Sequence, residues 1–160
     1  ISNKFNKLVI MYQDKQNDTL VKKELIDLVL SKDKTYAPLS LYFLIDNKII
    51  DSKKQINELY DALIQNTSLE KEVKNLIIYK KALYNSEFVS ENDLITQLKP
   101  LTNSESIWKS HALHLLGEYF FYKKEKQKSK EFFEKIVNLE NANPGIKNEA
   151  QKRILRDFSE

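Results

Sequence analysis

The chain has 160 residues, a mass of 18.9 kDa and a formal net charge of +3, enough for one ordinary domain. Only two glycines, three prolines and no cysteine occur, which argues against sandwiches, barrels and doubly wound folds and excludes glycine-rich phosphate loops, disulfides, thiolate catalysis and cysteine-ligated zinc. With 41% apolar and 31% charged residues and no apolar run near the ~20 residues of a membrane span, an all-α protein is what remains.

In chain order, apolar residues recur at helical spacing and the breaks fall at caps. A first helix is predicted over about 3–12, with Phe5, Leu8, Val9 and Tyr12 on one stripe. A second opens at Asp18 as the cap and carries Leu25, Leu28 and Val29; a third opens near Thr35, with Pro38 in its first turn, and carries Leu41, Leu44 and Ile45. Capping boxes are read at Ser52/Gln55, Thr67/Glu70 and Thr102/Glu105, opening the fourth, fifth and seventh helices. Ser90 caps a short sixth helix that Pro100 helps to end, and the seventh extends from about Ser104 to Tyr122. An eighth covers about 126–139, with Phe132, Phe133 and Ile136 inward, and Asn143-Pro144 opens a ninth carrying Ile146, Ala150, Ile154 and Leu155. No strand signal is present. Among the aromatic residues, Phe5, Tyr60, Phe120 and Phe133 fall on packing stripes and are assigned to the core.

Paired helices repeat. Leu8, Leu41, Leu76 and Leu113 are 33, 35 and 37 residues apart; Leu25, Leu59, Leu94 and Phe132 are 34, 35 and 38 apart, as are Val29, Leu63, Leu98 and Ile136. A pair of this length cannot bury its own apolar face, so stacking of about four pairs (3–30, 35–65, 68–98 and 104–139), closed by a capping helix over about 144–158, is expected as a single solenoid domain spanning 1–160.

In the fourth pair, Trp108, Leu113, Leu116-Gly117, Phe120, Ser129, Phe133 and Ile136 resemble a tetratricopeptide repeat, with Leu-Gly where helices pack closely and a small residue at the helix crossing. The stretch departs from that pattern at Lys124, where the family often has glycine, at Ile136, where it has alanine, and at Pro144, three residues late. The layout is similar to the TPR-like soluble domain of membrane-anchored bacterial proteins, including the ancillary subunit family of the Sec translocon. The resemblance implies a non-catalytic scaffold or adaptor of the bacterial cell envelope, a periplasmic domain carried by an anchor upstream of Ile1, with the cytoplasm as the alternative location. It also implies that the first helix of each pair lines a concave groove: Leu39, Tyr42, Asp46 and Ile49, then Lys74, Ile77, Lys81 and Tyr84, then His111, His114, Glu118 and Phe121. Of these, Tyr42, Asp46, Ile77, Lys81, Tyr84, His114, Glu118 and Phe121 are the candidate partner-binding residues.

Other constellations are weaker. His111, His114 and Glu118 share a helix face and could in principle meet a metal, but lack a fourth ligand, so no metal or cofactor is expected. The serines sit at caps or on lysine-rich faces, and the carboxylate pairs Glu91/Asp93 and Glu118/Glu125 fall at capping or exposed positions, so no catalytic residue is assigned. The run from Lys123 to Lys128 reads as a solvated helix turn and face. Only Arg153 and Arg156 are arginine and acidic residues are interspersed, which disfavours nucleic acid. The expected partner is a protein or peptide. The alternative is a structural subunit packed into a larger complex without a peptide groove, and the oligomeric state stays open.

Overall fold

The computed structural model describes residues 1–159. These form nine α-helices and no strand: α1 (Ser2–Gln13), α2 (Asp18–Val29), α3 (Tyr36–Asp46), α4 (Lys53–Asn66), α5 (Lys71–Asn85), α6 (Glu91–Thr102), α7 (Lys109–Tyr122), α8 (Lys126–Val137) and α9 (Pro144–Asp157). None of them is long and apolar enough to cross a membrane. The helices gather into two compact units, one over Ile1–Glu70 and one from Lys71 onward.

Within each unit a helix packs on its successor and, at α1/α3, α2/α4, α5/α7 and α7/α9, on the next but one. That helix-pair packing is compatible with a helical-repeat solenoid. Hydrogen bonds follow the same period. Tyr12 Oη donates to the Asn47 carbonyl 35 residues on, Lys71 Nζ to the Glu105 carbonyl 34 on, and the Asn143 N–H to Ser110 Oγ, 33 residues back. Buried Asn75 and Ser110 stand 35 residues apart, and each bonds the turn leading into a following helix: Asn75 Nδ2 donates to Ser106 Oγ at 3.1 Å, and Ser110 Oγ accepts from Asn143.

Local chemistry sets most boundaries. Ser52, Ser90 and Asn143 accept from the N–H three residues on, capping α4, α6 and α9 as their sequence predicts. Four expectations are corrected. The cap of α2 is Asn17, which accepts from the Leu20 N–H, and Asp18 is the first helical residue. Thr67 ends α4 with extended backbone rather than opening α5. Pro100 lies inside α6, which continues to Thr102 because Leu101 is fully buried and Ser104 Oγ donates to the Pro100 carbonyl at 2.6 Å. Thr102 therefore closes α6 instead of opening α7. The α7 start is fixed from α5: a Glu72 carboxylate oxygen accepts from Ser106 Oγ and the Ile107 N–H, and the Glu72 carbonyl accepts from Trp108 Nε1 at 3.1 Å.

Without glycine, α1, α3 and α7 still end in the left-handed turn that glycine usually makes. Lys15, Lys48 and Lys124 adopt φ of 53°, 54° and 60°. In each case the lysine N–H bonds the carbonyl three back and the next N–H the carbonyl five back, as with Lys124 to Phe121 and Glu125 to Phe120. A side chain in this conformation costs about 1–2 kcal/mol, against a smaller entropic cost for glycine. Lys48→Gly and Lys124→Gly are each expected to raise stability by about 1 kcal/mol, read as a shifted urea midpoint at unchanged slope.

The cores follow most of the predicted stripes, but Leu155, placed on the α9 stripe, keeps 74% of its surface in solvent because it faces away from α7 and α8 beside the buried Arg153. The Val29, Leu63, Leu98 and Ile136 column is buried throughout, and Tyr60, Phe120 and Phe133 are core residues. Phe5 is half-buried, its ring 5.6 Å from Tyr36 and 6.2 Å from Phe43, and Phe132 is half-buried, stacked on Phe120 at 5.5 Å. Leu76 is half-buried while Ile77 is fully buried, so the predicted register of α5 is displaced. A shift of 35 residues carries all four buried positions of α5 (Asn75, Ile77, Ala82, Asn85) onto buried positions of α7 (Ser110, Ala112, Gly117, Phe120).

Candidate functional site

The corrected register decides which side chains can face a ligand. Ile77 is the counterpart of Ala112, not of His114, and it belongs to the core; the expectation that it lines a groove is overturned. The counterparts of His114 and Glu118 on α5 are Tyr79 and Leu83. These four residues do come together. They line a groove of about 610 Å³ between α5 and α7, with Leu115 and Tyr119 alongside and Ser86, Glu87, Tyr122 and Lys123 at one end.

The groove is mostly apolar and aromatic. Leu83 keeps 47% of its surface in solvent and Tyr122 keeps 81%, whereas Leu115 and Tyr119 are buried. Tyr79 stacks at 6.3 Å on Trp108 and meets His111 edge-on at 5.8 Å; burial pushes its hydroxyl pKa up. Lys123 Nζ lies 5.4 Å from the centre of the Tyr119 ring, and Tyr119 Oη reaches the Val89 carbonyl at 3.5 Å.

Both histidines resist protonation. Burial lowers the pKa of His111, and burial is the main cause for His114, opposed by Glu149 and reinforced by Arg153 and His111. His111 Nδ1 and His114 Nε2 are buried without a hydrogen-bond partner. His114 Nε2 stands 3.8 Å from Glu118 Oε1, too far for a hydrogen bond, and that oxygen is already engaged by the Arg153 guanidinium. Among the described residues no cluster of three metal-ligating side chains is present.

The remaining candidates lie elsewhere. Tyr42 is half-buried and Asp46 exposed on α3, in the first unit; burial, helped by Asp46, pushes the Tyr42 hydroxyl pKa up to about 12. Lys81 and Tyr84 are half-buried on α5 outside the groove lining, Tyr84 meeting Phe88 edge-on at 5.4 Å. Phe121 is turned toward α9, its ring 4.7 Å from the Arg153 guanidinium carbon and 6.0 Å from Phe158. Reading the sequence missed Tyr79, Leu83, Tyr119 and Tyr122. The signal that finds the first two is the 35-residue shift that aligns the buried small residues Ala82 of α5 and Gly117 of α7.

The lysine-rich stretch after α7 is partly structural. Lys128 bridges Glu91 at 2.9 Å and Glu125 at 2.7 Å, and its ammonium lies 5.1 Å from the Phe120 ring centre. Hydrogen bonds donated to Glu125, and after it Glu91, raise its pKa. No protein-family model, curated protein or solved structure matches this chain.

Proposed function

We propose that the chain is a non-catalytic protein–protein interaction module, and that its second unit holds a partner segment in the α5–α7 groove. The observation that carries this reading is the open apolar surface of Leu83 and Tyr122 beside the Tyr79, Leu115 and Tyr119 rim. A segment offering one or two large apolar side chains would cover that surface, with Glu87 and Lys123 setting its direction. The preformed helices would not have to reorder on binding, which keeps the entropic cost low. The similarity of the chain's layout to the TPR-like soluble domain of membrane-anchored bacterial proteins supports placing the module in the bacterial cell envelope, on the periplasmic side of the inner membrane.

A second reading, a structural subunit without a peptide groove, draws on apolar residues exposed outside the groove: Ile107 at 65% and Leu155 at 74%. Peptide display against the wild-type chain and against Leu83→Glu and Tyr122→Ala separates the two. The groove reading expects selected peptides rich in large apolar residues, with affinity reduced at least about tenfold by Leu83→Glu at unchanged circular dichroism. Peptides bound equally by wild type and both variants would favour the structural subunit.

A further inference from the structure

We propose that the seam where α9 closes on α7 and α8 is a proton-operated latch: protonation of His114 competes with Arg153 for Glu118 and releases α9. The proposal concerns this seam alone and stands whether or not the groove binds a peptide.

The geometry is specific. Arg153 of α9 is 7% exposed and pairs with Glu118 of α7 and Asp157 of its own helix. Its guanidinium carbon sits 4.7 Å from the centre of the Phe121 ring and 4.9 Å from that of Phe133. Beside this pair, His114 meets Phe133 edge-on at 5.8 Å, its buried Nε2 unpartnered and 3.8 Å from the same Glu118 oxygen. One carboxylate thus faces two claimants, a permanent cation and a base that becomes a cation within the physiological range.

The charged and titratable groups around His114 come from α7, α9 and the α5 side of the groove. On α7 they are His111 and Glu118; on α9, Glu149 and Arg153, with Asp157 acting through Arg153. Across the groove from α5 stands Tyr79, with Glu87 and Lys123 at the end, while α8 offers the apolar Phe133 ring. In the closed seam burial, Arg153 and His111 outweigh Glu149, so the ring resists protonation below its ordinary value of 6.5. Displacing α9 removes Arg153 and admits water, returning the ring toward that value. The open form therefore binds more protons, and acidification from about pH 6.5 downward favours it. Asp157, whose carboxyl is held down to about 2, keeps its charge across this window and adds nothing to the response.

Hydrogen exchange on the full chain tests the latch. After correction for intrinsic chemistry, protection of α9 amides is expected to fall about tenfold between about pH 7.5 and about pH 5.5, with protection of α6 unchanged. His114→Gln should abolish the pH response, and His111→Gln, whose parent ring lies against Tyr79 and Trp108, should retain it. A flat wild-type profile, a response surviving in His114→Gln, or an equal loss in α6 would overturn the proposal. If His114→Gln does not fold, NMR titration of the wild-type ring decides. Titration at about 6.5 in the closed state overturns the latch; titration shifted well below, with α9 opening, supports it.

Discussion

Replacing Phe133 with alanine is expected to remove about 3–5 kcal/mol, a large part of the ~5–15 kcal/mol that holds a domain of this kind together. Phe133 is fully buried where α7, α8 and α9 meet, against the His114 ring, Phe158 and the Arg153 guanidinium. Its ring also lies on Gly117. A methyl group there would meet Cζ at 2.9 Å, Cε1 at 3.0 Å and Cε2 at 3.2 Å, so the fully buried ring would have to shift. Ser129, one turn before the ring on α8, closes the same crossing by donating from Oγ to the Gly117 carbonyl at 2.8 Å. Gly117→Ala therefore sets an overpacking cost of about 1–3 kcal/mol against a helix-propensity gain of about 1, for a net loss in the parent chain. In the Phe133→Ala background the same methyl enters a hole, and the substitution should become stabilising by about 1 kcal/mol. Urea unfolding of the four chains measures this coupling. A stabilising Gly117→Ala in the parent chain would show that close helix approach is not the reason for the glycine.

Arg153→Leu is expected to cost about 3 kcal/mol, because it leaves Glu118 without its cation at a largely buried seam, while Asp157 keeps Arg156. Arg153→Lys should recover only part of that loss, since an ammonium cannot reach both carboxylates while lying flat between Phe121 and Phe133. Thermal unfolding read at α9 gives the order wild type, Arg153→Lys, Arg153→Leu. The acid limb of stability carries a second signature. The Arg156 guanidinium beside Asp157, and Arg153 after it, hold the Asp157 carboxyl at about 2 against an ordinary 3.8. A depressed carboxyl pKa contributes stability that is full above 3.8 and lost as pH falls toward 2. Asp157→Asn should flatten the pH dependence in that interval; an unchanged acid limb would place the stabilising charge elsewhere.

Helix identity was legible in the residues because it is a local property. Apolar spacing near 3.6 and side-chain caps at Ser52, Ser90 and Asn143 act within a turn of the chain, and each cap makes the bond its spacing predicts. The failures share one cause. Thr67 and Thr102 have the spacing of capping boxes, yet the first ends α4 and the second ends α6. The Thr67 N–H is committed to the Leu63 carbonyl, and the α7 start is bound by Glu72, more than thirty residues upstream. Pro100, a helix terminator by local rules, stays inside α6 because burial of Leu101 outweighs one missing donor.

The candidate site divides in the same way. His114 and Glu118 were named from repeat position and line the groove, whereas Ile77 was placed two residues out of register and lies in the core. Leucines alone could not fix that register, because Leu76, Ile77 and Ile78 are nearly interchangeable in an apolar stripe. By itself the sequence determined an all-α chain of paired helices, the approximate 35-residue period and the close crossing at Gly117, all consequences of spacing, caps and residue size. Only the tertiary structure decided which face of α5 turns inward, that Tyr79 and Leu83 meet His114 and Glu118, and that Arg153 and His114 stand beside one carboxylate. These depend on side chains about one repeat apart, whose contacts are fixed by packing between helices rather than by anything within them.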